Sequence, residues 1–158
     1  MQTDDQRGSI VTPDGTDPIA TVLEDTRRIA VVGASANPAR PSHRVVRTLI
    51  DAGFEVIPVN PKYDEVLGRP AVDRLAEIEG PIDLVDVFRR SEQLPDAVRE
   101  AIAVGARAVW LQLGLRSEEA RRLATDAGLR YVEDACLGVE VDAARHRHDS
   151  DVTDAAAS

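Results

Sequence analysis

The segment Gly33-Ala34-Ser35-Ala36-Asn37-Pro38-Ala39-Arg40-Pro41-Ser42 lies between an apolar run and an amphipathic one, where a strand would turn into a helix. The first turn of a helix carries unpaired backbone N–H groups and a partial positive charge, which suits a phosphate. Gly33 lets the chain turn tightly, and the small Ala34, Ser35 and Ala36 let a diphosphate approach the backbone. Arg40 adds a mobile cation, and the Ser35 and Ser42 hydroxyls add donors. Only the first glycine of the dinucleotide fingerprint G-x-G-x-x-G is present. Taken alone, the loop is equally well a plain strand–helix turn with a capping serine.

Two further loops carry similar chemistry. Asn60-Pro61-Lys62 follows the apolar run Glu55–Val59. NAD-binding chains place an acid at the end of this strand to receive the ribose 2′-hydroxyl, whereas here the position is Asn60 and a lysine follows. A cation there suits an adenosine ribose bearing an extra phosphate, as in coenzyme A or NADP. Asn60-Pro61 is also a turn-forming dipeptide, and Lys62 has an ordinary solvated reading beside the ligand one. The third loop is Phe88-Arg89-Arg90-Ser91. Phe88 offers a ring to adenine or to an apolar arm, and the arginines reach for phosphates or helix carbonyls. Neighbours at a strand end point to opposite sides, so at most one of the two arginines faces a ligand. Trp110, Gln112 and Gly114 close a fourth run, with Trp110 read as core.

No catalytic or metal constellation is expected. His43 lies just inside the first helix after the glycine turn, and Cys136 is far from it along the chain, so a Cys–His pair needs the fold to bring them together. Glu118-Glu119 and Asp64-Glu65 read as solvated faces, and metal-ligand spacing is absent. His146 and His148, near Asp149 and Asp151, belong to a polar stretch in which nothing holds ligand geometry.

The elements that must position these loops alternate regularly. Ile29–Val32 is a continuous apolar run, as in a strand covered on both faces. Ser42 is expected to cap a helix carrying Val45, Val46, Leu49 and Ile50 on one side, stopped by Gly53. Strand Glu55–Val59 follows, then a short helix from Asp73 to Ile78 and a third strand, Ile82–Phe88. A helix from Ser91 carries Leu94, Val98, Ala101 and Ile102 and ends at Gly105. Strand Arg107–Leu111, a helix Glu118–Ala127 capped by Ser117, and strand Leu129–Val132 complete the pattern. Five strands separated by helices predict an α/β fold: a doubly wound, Rossmann-like, five-stranded and mainly parallel sheet with helices on both faces. Such a sheet binds ligands at the carboxyl ends of its strands, where the four loops lie.

Composition narrows the classes further. The 158 residues are 43% apolar and 30% charged, within the usual range of one globular domain. The net charge is −9, and there is no basic stripe to meet a phosphodiester backbone, so nucleic acid is not expected as a partner. No run approaches a membrane span and the first residues lack a secretory pattern. A single cysteine allows no internal disulfide, so a cytoplasmic protein is expected. Residues 1–17 and 142–158 are polar and aperiodic and read as flexible tails, the second acidic, around a domain at 18–141.

Together, the segments VVGASANPARPSHRV, VIPVNPKYDEVLGRP, DLVDVFRRSEQLP, VWLQLGL and CLGVE resemble the stand-alone CoA-binding domain family. That family is similar to the nucleotide-binding domain of the succinyl-CoA synthetase α subunit. The resemblance covers residues 18–141, with five motifs in the same order. It implies that Gly33–Ala36 with Arg40 holds the diphosphate. It also implies that Asn60, Pro61 and Lys62 sit near the adenosine, and that Phe88 and Arg89 line the same cleft. Two positions depart from the family. His43 stands where tyrosine is frequent, and Ala135 and Gly138 flank Cys136 where basic residues are common, which removes the cations that would stabilise a thiolate. The synthetase relatives need a domain with a phosphorylated histidine and a nucleotide-grasp partner, and the sequence holds neither. A complete ligase is therefore not expected. The resemblance implies non-catalytic binding of coenzyme A, or an acyl-CoA, as a carrier, sensor or regulatory module, with any protein partner unidentified. The alternatives are an NAD(P)-binding redox protein, disfavoured by the missing glycines and acid, and an accessory subunit of an acyl-CoA ligase supplied by another chain.

Overall fold

The computed structural model describes the backbone of residues 18–157 and the side chains of residues 19–147; the expected tail 1–17 lies outside the described residues. The sheet contains β1 (Arg28–Val32), β2 (Glu55–Val59), β5 (Leu84–Val87), β6 (Ala108–Leu111) and β7 (Arg130–Val132), with β3 (Glu65–Val66) and β4 (Arg69–Pro70) forming a small hairpin beside it. All neighbours in the sheet are parallel, in the order β2-β1-β5-β6-β7. Helices α1 (Pro18–Glu24), α2 (Pro41–Asp51) and α5 (Leu137–Ala157) pack on one face, and α3 (Leu94–Ala103) and α4 (Glu118–Asp126) on the other. This is the doubly wound, Rossmann-like α/β sheet that the alternation predicts.

Period-two geometry explains why the strands read as unbroken apolar runs. In β1, Ile29 and Val31 join the core under α2, while Ala30 and Val32 join the core under α3. Leu84, Ala108, Trp110 and Val132 continue the first core; Val85, Val87, Val109 and Leu111 continue the second. Each helix adds its own apolar stripe: Val45, Val46 and Leu49 from α2, Leu94, Val98 and Ala101 from α3, Ala120 and Ala124 from α4.

Several local features differ from the sequence-based expectation. Helix α2 starts at Pro41 with Arg40 as its N-cap, so Ser42 lies inside the helix and caps nothing. Proline at the first helical position presets φ and has no N–H to leave orphaned, which advances the start past the serine. The helix expected from Asp73 is a 3-10 turn at Leu75–Glu77, and Ser91–Gln93 is a 3-10 turn leading into α3. Helix α1 and the antiparallel hairpin β3–β4 were not expected. A seven-residue helix is marginal alone, and α1 forms because Ile19 and Val22 are buried against the sheet core. The expected tail from residue 142 is helical to Ala157; α5 anchors itself through Leu137 and Val141, and its described residues 145–147 are exposed.

The winding direction places a switch point at β1. From β1 the chain passes through α2 to β2 on one side, then crosses to β5 on the other. Loops leaving the carboxyl ends of β1 and β5 therefore diverge and leave a crevice between them. The free side of β2 is covered for one rung by Val72, whose N–H donates to the Pro58 carbonyl at 3.0 Å and whose carbonyl accepts from Asn60 N–H at 2.8 Å.

Candidate functional site

Strand register brings the three expected loops into one row. Val32 lies opposite both Val59 and Val87, and Val87 opposite Leu111. One residue beyond each strand, Asn60, Gly33, Phe88 and Gln112 therefore stand side by side. Hydrogen bonds extend the ladder into this row: Gly33 N–H donates to the Val59 carbonyl and Phe88 N–H to the Val32 carbonyl, each at 2.9 Å. Gly33 sits at φ 88°, and a Cβ there would overlap the Phe88 carbonyl oxygen. The crevice floor thus tolerates no side chain at position 33.

The loop after Gly33 is held by its own side chains. Asn60 Nδ2 donates to the Ala34 carbonyl at 2.8 Å, while Asn60 Oδ1 accepts from Lys62 N–H at 2.9 Å. Ser35 Oγ accepts from Asn37 N–H at 3.0 Å and meets the Tyr63 hydroxyl at 3.3 Å. Asn37 Oδ1 accepts from Ala39 N–H at 3.0 Å. The Asn60 side chain is therefore engaged in shaping the loop from the neighbouring strand, a role that its turn-forming character alone did not reveal. Ala34 is buried beneath the loop, whereas Ala36, Arg40, Pro61 and Lys62 are exposed along its rim. Phe88 packs on the α2-side core and is half-buried, as is Arg89, whereas Arg90 is exposed.

Two strand–helix junctions at this edge differ in how their helix ends are satisfied. At α4, Ser117 Oγ accepts from Ala120 N–H at 3.1 Å, and the buried Glu133 carboxylate accepts from Ser117 N–H at 3.4 Å. Arg121 approaches Glu133 at 3.5 Å, and the Tyr131 hydroxyl donates to it at 2.7 Å. Burial pushes the Tyr131 hydroxyl upward, so it stays a donor. This helix end already holds an anion, contributed by the chain itself. At α2 no side chain caps the helix. Ser42 and His43 are each 5% exposed, and among the described residues neither side chain has a hydrogen-bond partner. The loops at this strand edge carry Arg40, Lys62, Arg89 and Arg90, none of which forms an ion pair with a described residue. Several cations elsewhere are paired, among them Arg28 with Glu55, Arg99 with Glu119, Arg116 with Asp134 and Arg130 with Asp25. An uncapped helix end and four cations without ion pairs among the described residues thus occur on adjoining loops, a combination whose charge suits a polyanion.

Sequence reasoning missed a buried carboxyl next to the row. Asp86 lies in β5, opposite Val31 and Trp110, and is fully buried. Its Oδ1 accepts a hydrogen bond from Gln112 Nε2. Its Oδ2 has no partner and is sealed from solvent. Burial pushes the carboxyl up to about 8, with the Gln112 hydrogen bond pulling the other way. The available signal was an acid within the otherwise apolar Leu84-Val85-Asp86-Val87. Trp110 is core, as expected, with Nε1 donating to the Ala135 carbonyl at 2.8 Å. Cys136 is half-buried against the same core. No group of three metal-ligating side chains occurs among the described residues.

Comparison with known proteins follows the same outline. A family model described as CoA binding domain matches residues 27–142. The chain is 49% identical over 121 residues to the uncharacterised protein YneT of Bacillus subtilis, spanning 77% of this chain and 90% of YneT. It is 24% identical over 121 residues to an ADP-forming acetate–CoA ligase of Methanocaldococcus jannaschii, covering 72% of this chain but 17% of the ligase. A solved structure, a hypothetical protein from Pyrococcus horikoshii, matches with a TM-score of 0.76 and 37% identity, covering 82% of this chain and 93% of that one. With the match running from the residue before β1 into α5, and so across every strand end that builds the crevice, this chain belongs to the CoA-binding domain family.

Proposed function

We propose that the chain binds coenzyme A, or an acyl-CoA, across the ends of β2, β1, β5 and β6, as a carrier, sensor or regulatory module that performs no reaction of its own. The observation that carries this reading is the uncapped end of α2, with the Ser42 and His43 side chains unpartnered among the described residues and four cations without ion pairs on the loops of the same strand edge. The diphosphate takes the backbone of Gly33–Ala36 and the α2 end, with Arg40 closing over it. Lys62 meets the additional ribose phosphate, and Asn60, in place of an acid, leaves that phosphate unopposed. Phe88 supplies apolar surface beside the phosphates. Family membership supports the choice of coenzyme A over NADP, which the charge pattern alone also accommodates. The similarity to a small part of an acetate–CoA ligase supports a second reading, in which the chain completes a ligase assembled from other chains. No helix among the described residues is long and apolar enough to cross a membrane, and a cytoplasmic site of action is part of this proposal.

Thermal unfolding with added nucleotides tests the reading. A ligand at one hundred times its dissociation constant adds about 2.7 kcal/mol, a shift of about 5–10 °C for a domain of this size. Coenzyme A is expected to give that shift and NAD to give none. Equal shifts with both would overturn the assignment.

A further inference from the structure

Gln112 is the fourth member of the strand-end row and the one for which the phosphate seat has no use. It is 5% exposed, and its Nε2 is engaged by the buried Asp86. Its Oε1 has no partner among the described residues. Asp86 Oδ2 is the only sealed, unpartnered side-chain polar atom among them, so Gln112 Oε1 retains contact with solvent. A carboxamide whose nitrogen is drawn down toward Asp86 must present its oxygen the other way. Beyond the end of β6 that direction is the crevice, with Phe88 next in the row.

A buried carboxyl that leaves one oxygen orphaned is a poor way to stabilise a sheet, because apolar side chains of similar size would pack there without desolvation cost. The pair makes physical sense as a device that holds one acceptor at a set orientation in an otherwise apolar floor. We propose that Gln112, oriented from beneath by Asp86, is a ligand-reading residue that accepts a hydrogen bond from an amide N–H on the arm of the ligand that extends past its phosphates. The assignment rests on the coenzyme A reading of the crevice and adds to it a contact with the amide-bearing arm. Asp86 touches no ligand and acts as a positioning residue.

The test compares two ligands on the full chain by titration calorimetry: coenzyme A, and adenosine 3′-phosphate 5′-diphosphate, which keeps the charged half and lacks the arm. Replacing Gln112 by Met removes the acceptor at nearly constant length. The variant is expected to bind coenzyme A about three- to ten-fold more weakly, the value of one neutral hydrogen bond, and to bind the armless nucleotide as the wild type does. Gln112→Asn, one methylene shorter but still polar, is expected to give the same split. Unchanged affinity for coenzyme A, or equal loss for both ligands, would overturn the role of Gln112 while leaving the coenzyme A reading intact. A wild-type chain that binds neither ligand would overturn both.

Discussion

Replacing Asp86 by Asn should change the pH dependence of stability in a direction opposite to that of ordinary surface carboxylates. In the unfolded chain the carboxyl titrates near 3.8, and in the fold burial moves it to about 8. Between these values the folded state holds one proton more than the unfolded state. The Asp86 contribution is therefore complete below the unfolded value, declines as pH rises, and is lost once pH passes the folded value. The slope is about 1.4 kcal/mol per pH unit, so from about pH 5 to about pH 7 the wild type loses about 3 kcal/mol through this one group. A carboxamide in its place would have no such proton, would keep an oxygen for Gln112 Nε2, and would add no charge to the core. Urea unfolding of both proteins at several pH values in this window measures the difference directly. The variant should gain on the wild type by about 3 kcal/mol between those two pH values. Asp134 does not confound the comparison: the Gly114 N–H and, to a lesser degree, Arg116 hold its carboxyl below the usual range, so its contribution is lost only in acid and is common to both proteins. Parallel stability curves would refute the reasoning, and would mean that water or a shift of β5 solvates the carboxyl.

Two further substitutions probe the seat itself. Gly33→Ala should destabilise the fold by about 2 kcal/mol or more in urea unfolding, since the new Cβ meets the Phe88 carbonyl at a positive φ; a neutral effect would show that β1 and β5 separate easily. Lys62→Ala should weaken coenzyme A by up to about five-fold at low salt yet leave dephospho-coenzyme A unaffected, as expected for an exposed cation on a single phosphate; equal effects on the two would detach Lys62 from the ribose phosphate.

The parts of the molecule legible in its sequence are those in which local pattern and tertiary role coincide. Ile29–Val32 and Glu55–Val59 read as strands because burial on both faces leaves no polar position in their centres. Ser117 before two glutamates marked the start of α4, and its hydroxyl does accept from Ala120 N–H. Ser42 misled because a serine at the end of a proline-containing loop looks like a cap, while the proline between Arg40 and Ser42 had already set the helical φ. Helix α1 and the hairpin β3–β4 were illegible because each is too short to have its own periodicity, and each depends on a surface supplied by distant chain. The three loops do leave the carboxyl ends of adjacent parallel strands, as the alternation of strands and helices implied. Their alignment into one row is a matter of register, which depends on pairing between strands far apart in sequence. The Asp86–Gln112 pair was hidden for the same reason: 26 residues separate its members.

That row also acts as a ruler. Neighbouring parallel strands lie about 4.8 Å apart, so the three intervals from Asn60 across Gly33 and Phe88 to Gln112 span about 14 Å. An extended molecule lying across the strand ends meets a different loop at each interval: first an amide beside a lysine, then bare backbone, then an aromatic ring, then an acceptor. Because the spacing belongs to the backbone hydrogen bonds, side-chain changes can alter what is met at each mark but not where the marks fall. A compact anion such as free phosphate is long enough for only one interval, whereas an extended molecule reaches from one mark to the next. On the coenzyme A reading, this spacing would select a ligand by length and direction as well as by charge.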